Sequence, residues 1–404
     1  MSKLAQLLLI LILLTVPFGQ LARLPIGNNI TVYPTDILIP ILVVVWLIYA
    51  FVIRKKFYLP PLNGLIIIFI LLLVTSLVNG SQWINRQELL VSSLYLVRWL
   101  EYLSLYFITW DLATSSPFLT RHFPQLLVLV GLLVAFFGFV QLVVMPDFSG
   151  MAAEGWDPHY GRLLSTFFDP NFVGGFLSLV FGLIVSYLIY SKDKKERLML
   201  ALSGLVVFIA VVLTFSRSSY LAFFVVLVII GLLKSPKILL AFLVASLVAV
   251  TFLPRIQERI IGAFSLDATA QARFESWDRA GEILKDNPFL GIGYNTYRYA
   301  QERHGFFDFN DTTSGGHSGA GTDSSLLLIL VTTGTIGFLS YCLLTLGILK
   351  KSWEKRNSPL GLAVLAGLFS LLIHSQFVNS LFYPQILVWF WILTGLAFAK
   401  EVKK

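Results

Sequence analysis

The chain has 404 residues, of which 57% are hydrophobic and only 13% charged, with a formal net charge of +8. Soluble domains carry about 25% charged residues, so a soluble enzyme is excluded. The basic excess reads as the orientation signal of a membrane protein, and no nucleic-acid partner is expected. The single cysteine, Cys342, rules out an internal disulfide and a thiolate metal cluster.

A helix needs about 20 apolar residues to cross the hydrocarbon core. Twelve runs qualify, at about 4–22, 36–53, 62–79, 89–110, 124–145, 171–190, 197–214, 218–233, 237–253, 323–349, 359–378 and 383–399. The expected fold class is therefore all-α and polytopic: one integral membrane domain over 1–404, a bundle of about twelve transmembrane helices, and one long loop at 254–322. The first run resembles a signal peptide. Gln20-Leu21-Ala22-Arg23 is no cleavage site, however, so the run is expected to stay as a helix.

Charge decides the orientation. With the N-terminus in the cytoplasm, the cytoplasmic segments hold 18 Lys and Arg and the short external loops hold 4 (Arg23, Arg86, Arg162 and Arg217). This bias expects both termini inside and the 254–322 loop outside. Within that loop, 268–286 reads as an amphipathic helix. Phe274, Trp277, Gly281 and Leu284 share a face, Asp267 is a cap, and Asn287-Pro288 is a stop. Such a helix lies on the bilayer surface or roofs a cavity.

Several positions carry chemistry. Thr214-Phe215-Ser216-Arg217-Ser218 is a tight turn between two runs. Ser216 or Ser218 can cap the second helix, and Arg217 stands where helix N–H groups favour an anion. The alternative is an arginine anchored at the interface. Asp169-Pro170-Asn171 reads as a capped helix start, seven residues after Arg162. Arg98 and Glu101, three apart within an apolar run, are expected to pair with each other. Gly291-Ile292-Gly293 reads as a tight turn, and Gly334-Thr335-Ile336-Gly337 as close helix packing. Asp323 and His317 stand before the tenth run as base candidates, or as a cap and a loop histidine. The five histidines are scattered, and no metal-ligand spacing is present.

In this order, these pieces resemble the O-antigen ligase and polymerase family of bacterial membrane glycosyltransferases. The pieces are Arg162-Leu-Leu-Ser-Thr-Phe-Phe-Asp-Pro-Asn171, Leu213-Thr-Phe-Ser-Arg-Ser218, Arg273-Phe-Glu-Ser-Trp277 with Asn287-Pro-Phe-Leu-Gly-Ile-Gly293, and the run through Gly334. The likeness is strongest over 160–340. It implies transfer of an undecaprenyl-diphosphate-linked glycan to lipid A–core, a growing polysaccharide or another acceptor, at the outer face of the cytoplasmic (inner) membrane. It also implies that Arg217 and Arg273 hold the diphosphate, with Arg162, Ser216 and Ser218 beside them, and that no metal or cofactor is required. A secondary transporter is the competing class. Transporters usually show paired repeats and broken helices at midplane, whereas here the polar residues gather at the outer face, which argues against transport.

One departure stands out. Many family members carry a histidine about eleven residues before the last motif's glycine, where this chain has Asp323. Asp323 is the preferred base, because a helix start places it rigidly whereas His317 sits among glycines. The departure leans toward a polymerase or another glycan acceptor.

Overall fold

The computed structural model describes residues 1–27, 30–252, 254–262, 268–306 and 321–399. It is almost wholly helical. The first five helices are α1 (Ser2–Thr15), α2 (Thr35–Leu47), α3 (Asn63–Gly80), α4 (Arg86–Ser115) and α5 (Pro117–Val144). The next five are α6 (Pro170–Tyr190), α7 (Lys194–Leu213), α8 (Arg217–Leu233), α9 (Pro236–Phe252) and α10 (Pro254–Ile261). The last five are α11 (Ala268–Leu284), α12 (Tyr297–Arg303), α13 (Ser325–Glu354), α14 (Pro359–His374) and α15 (Pro384–Phe398). A small antiparallel hairpin, β1 (Leu24–Gly27) and β2 (Ile30–Val32), joins the first two helices.

A helix occupies each of the twelve expected runs. Seven are long and apolar enough to cross a membrane: Ser2–Ala22, Thr35–Ile53, Asn63–Gly80, Pro117–Val144, Pro170–Tyr190, Lys194–Leu213 and Ser325–Glu354. Helices α8, α9, α14 and α15 are apolar but shorter. Polar groups, among them Arg98, Glu101 and Asp111, keep α4 outside the seven. Helix α15 is buried along its whole length, and α6 and α14 nearly so, which fits helices that are apolar all round and centred in a bundle. Indole donors tie this interior together: Trp389 donates to the Leu127 carbonyl at 3.1 Å and Trp110 to that of Phe398 at 3.0 Å.

The two ends of the bundle differ. Helices α6, α8 and α13 all begin at one end, where Ser216 donates to Asn171 and the segment before Ser325 contacts Asn379. They finish at the other, where Tyr190 donates to the Arg356 carbonyl at 3.2 Å and Lys234 bonds Asn357. The second end is the lysine-rich one.

Three expectations are corrected. Arg98 does not pair with Glu101. Its guanidinium grips Asp36 of α2 with two bonds, at 2.7 and 3.1 Å, because a carboxylate across the helix interface offers a bidentate geometry that a neighbour on the same helix does not. Helix α11 does form, but Phe274 is 51% exposed while Ala280 and Ile283 are fully buried. The buried face is the one that meets α13, so this helix roofs a cavity. The expected cap, Asp267, lies outside the described residues.

The third correction concerns Gly334, which packs closely against the Phe289–Gly291 backbone rather than another helix and also breaks α13. Its φ of 66° and ψ of −177° lie in a region essentially open only to glycine. The carbonyls and amides freed by the break must be satisfied within the protein. The 288–293 segment does this like a strand: Ile292 donates to the Val331 carbonyl and Gly293 to that of Thr332, both at 3.1 Å, while Thr335 donates to Pro288 at 2.9 Å. Asn79 and Trp83 close the segment from the other side, donating to Gly291 and Ile292 at 3.0 and 2.8 Å. Gly291 and Gly293 take positive φ of 73° and 115°, so the tight turn expected there is present.

Candidate functional site

The polar end holds a chamber of about 510 Å³ between the starts of α6 and α13, roofed by α11. Its wall includes Asp157, Asp169, Asn171, Arg273, Ser276, Arg279, Asp323 and Asn379. Each helix start is built by local chemistry. Asp169 accepts from the Asn171 and Phe172 amides at 2.6 and 3.2 Å, with Pro170 in the first turn. Ser216 accepts from the Ser219 amide at 3.3 Å, and Ser324 from the Leu327 amide at 3.3 Å. Caps of this kind contribute about 1 kcal/mol each. They also place the starts of α6 and α13 at the chamber, where helix N-termini favour an anion.

Ser216, not Ser218, is therefore the cap of α8. It also donates to the Asn171 side chain at 2.6 Å, and Ser218 lies 3.4 Å from the same oxygen. Both serines are buried, so they orient Asn171 on the wall rather than line the wall themselves.

Asp323 stands one residue before the cap of α13. Its backbone N–H donates to Ser276 of α11 at 3.2 Å, which fixes roof to floor. Burial raises its carboxyl above the usual range; the Arg273 guanidinium opposes this shift and Asp157 adds to it. From the sequence, Asp323 is either a base candidate or the cap of this helix. Because Ser324 takes the capping work, the Asp323 carboxylate is released to the chamber. Asp169 is likewise raised by burial, against the amides it accepts. Arg273 packs over Phe377 at 5.8 Å, and Arg279 reaches Glu275 at 3.6 Å.

Arg217 and Arg162 lie outside this wall. Arg217 donates to the Gly262 carbonyl at 2.7 Å. Arg162 donates to the Thr214 and Phe215 carbonyls at 2.9 and 3.3 Å, clamping the turn that presents Ser216. Its guanidinium also lies 3.4 Å from His159 Nδ1. His317 lies outside the described residues.

Four wall residues escaped sequence reasoning: Asp157, Ser276, Asn379 and Arg279 in its lining role. Asn379 donates to the Thr322 carbonyl at 2.6 Å and comes from the loop after α14. The fold also gathers Asp157, His159 and Asp169, whose ligand atoms lie within 4.8 Å of one another and could hold a cation. Their sequence spacing carries no metal signature. Because a guanidinium only donates, Arg162 beside Nδ1 makes that nitrogen the acceptor of this contact.

Residues 202–342 match the model of the O-antigen ligase family. The match covers the α7–α8 turn, the 254–322 loop and the Gly334 break. It supports assignment to the O-antigen ligase and polymerase family, and with the apolar helices it supports a multi-pass membrane protein with a role in polysaccharide biosynthesis. No curated protein matches the chain.

Proposed function

From that family assignment, we propose that the protein is an O-antigen ligase-like glycosyltransferase that moves a glycan from undecaprenyl diphosphate to an acceptor hydroxyl at the outer face of the cytoplasmic membrane. The observation that carries this reading is the joint presence of Arg273 and Asp323 on one wall, beside the starts of α6 and α13. Asp323 takes the proton of the acceptor hydroxyl as its oxygen attacks the anomeric carbon. The bond from that carbon to the diphosphate oxygen breaks, and undecaprenyl diphosphate leaves with the electron pair. Arg273 and the helix N-termini balance the charge that grows on the leaving group. Arg217 is the second diphosphate arginine in this proposal, exchanging the Gly262 carbonyl for phosphate oxygens.

The arginines supply the compensating charge that a divalent cation gives elsewhere, so the reaction is metal-independent on this reading. A polymerase would use the same groups with a growing glycan as acceptor, and Asp323 in place of the family's histidine favours it as the second reading. Deletion of the gene separates the two. Normal-length chains left unattached mean ligase, whereas single repeats mean polymerase. Unchanged surface glycan contradicts both.

The orientation has its own test. In a Cys342→Ser background, Asp308→Cys should react with an impermeant thiol reagent from outside and Lys194→Cys should not. The reverse pattern would put the chamber on the wrong side for this substrate.

A further inference from the structure

A second chamber, also of about 510 Å³, adjoins the first. Trp156, Phe172 and Tyr383 line both chambers and form the partition between them. Phe172 and Tyr383 stack at 4.1 Å, and the Tyr383 hydroxyl is held by Gln20 at 3.3 Å and by the Phe167 carbonyl at 3.2 Å. The partition is thus a stacked aromatic pair, held in place by the hydrogen bonds of Tyr383, with Trp156 beside it.

The two chambers differ in charge. Among the described residues, the second is lined by three arginines, Arg23, Arg98 and Arg298, and by no carboxylate. Asp36 neutralises Arg98 from outside the wall. Two of these guanidinium groups lie over rings of the aromatic lining: Arg23 over Trp156 at 5.3 Å, and Arg98 over Tyr33 and Tyr95 at 5.6 and 5.1 Å. Arg98 commits its donors to Asp36 and the Thr31 carbonyl, so the charge offered to an anion is that of Arg23 and Arg298. Trp99, Tyr102 and Tyr294 complete the apolar wall. Flat aromatic faces beside fixed hydrogen-bonding groups suit sugar rings, and the volume falls within the about 300–1,000 Å³ of small-ligand sites. A cationic lining among low-dielectric walls favours an anion.

We propose that this second chamber is a saccharide subsite selective for sugar units that carry an anionic substituent, a carboxylate above all. The proposal rests on the glycosyl-transfer reading, because the glycan would lie across the partition from Arg273 and Asp323. The same charge could serve the donor's diphosphate, and the test separates these two sources.

The full-length protein, purified in detergent, is titrated with three probes: trigalacturonate, its neutral methyl ester and inorganic pyrophosphate. Trigalacturonate should bind about tenfold or more tightly than the ester, the yield of one charge-assisted contact. The preference should shrink as salt rises. Arg23→Gln and Arg298→Gln should bring trigalacturonate to the level of the ester, Arg298→Lys should keep part of the preference, and Arg273→Gln should leave it unchanged. Pyrophosphate should respond to Arg273→Gln and not to Arg298→Gln. Equal affinity of the wild type for acid and ester overturns the proposal without any variant. Loss of pyrophosphate binding in Arg298→Gln overturns it too, by making this the diphosphate chamber. If the uronate behaves as expected but Arg273→Ala retains full transfer, the catalytic reading falls and the subsite stands.

Discussion

The two chambers are equal in volume and share one aromatic partition, but they are charged differently. The first combines Arg273 and Arg279 with Asp323, Asp169 and Asp157. Among the described residues, the charged side chains lining the second are arginines, with Asp36 paired to Arg98 from behind the wall. Moving a proton while stabilising a leaving anion needs an acid–base group and a cation within reach of one substrate, and only the first chamber has both. One-signed charge can bind and select but cannot exchange protons near neutral pH, because arginine does not give up its proton there. On the proposed reading, chemistry falls on one side of Phe172 and Tyr383 and recognition on the other.

The largest effect that would break this contrast is expected from Arg273→Ala. Losing a charge-assisted contact to the leaving group costs about 2–4 kcal/mol, or about 30- to 1,000-fold in rate. Arg217→Lys should also be poor, since a point charge does not replace a bidentate fork. Near-normal transfer by Arg217→Ala would leave that arginine as the holder of Gly262 only.

A smaller effect concerns pH. A carboxylate base works only when ionised, so transfer should fall as pH drops through the Asp323 pKa, which burial holds above the ordinary aspartate range. Arg273 opposes that shift, so the acid limb of the residual activity in Arg273→Gln should move to higher pH. An unmoved limb would mean that the titrating group is elsewhere.

The smallest expected effect is that of chelation. Transfer should stay within about twofold in EDTA, because the arginines carry the compensating charge. Loss of activity in EDTA with recovery in Mg²⁺ would instead give Asp157, His159 and Asp169 a cation to hold.

What the sequence made legible was mostly local. The Asp169-Pro170 start, the Ser216 cap, the α11 helix and the Gly291–Gly293 turn each follow from residues within one helical turn of one another. The apolar runs likewise each coincide with a helix, and among the described residues seven of these are long and apolar enough to cross a membrane. What stayed hidden depends on distant segments meeting. Arg98 finds Asp36 62 positions away. Gly334 reads as a packing glycine until the 288–293 segment is seen to satisfy the backbone it frees. The buried face of α11 was misassigned because amphipathicity alone does not say whether lipid or α13 lies beneath it. The second chamber draws Arg23, Arg98 and Arg298 from three separate elements, which no spacing rule links.

The central claim is that Asp323 is the base, and paired substitution in one transfer assay tests it most directly. Asp323→Asn and His317→Gln are compared in membranes with the donor saturating. The expected result is a loss of about 100-fold or more in Asp323→Asn, with His317→Gln retaining most of the wild-type rate. Substantial transfer by Asp323→Asn beside an inactive His317→Gln would contradict the account and assign proton removal to the histidine.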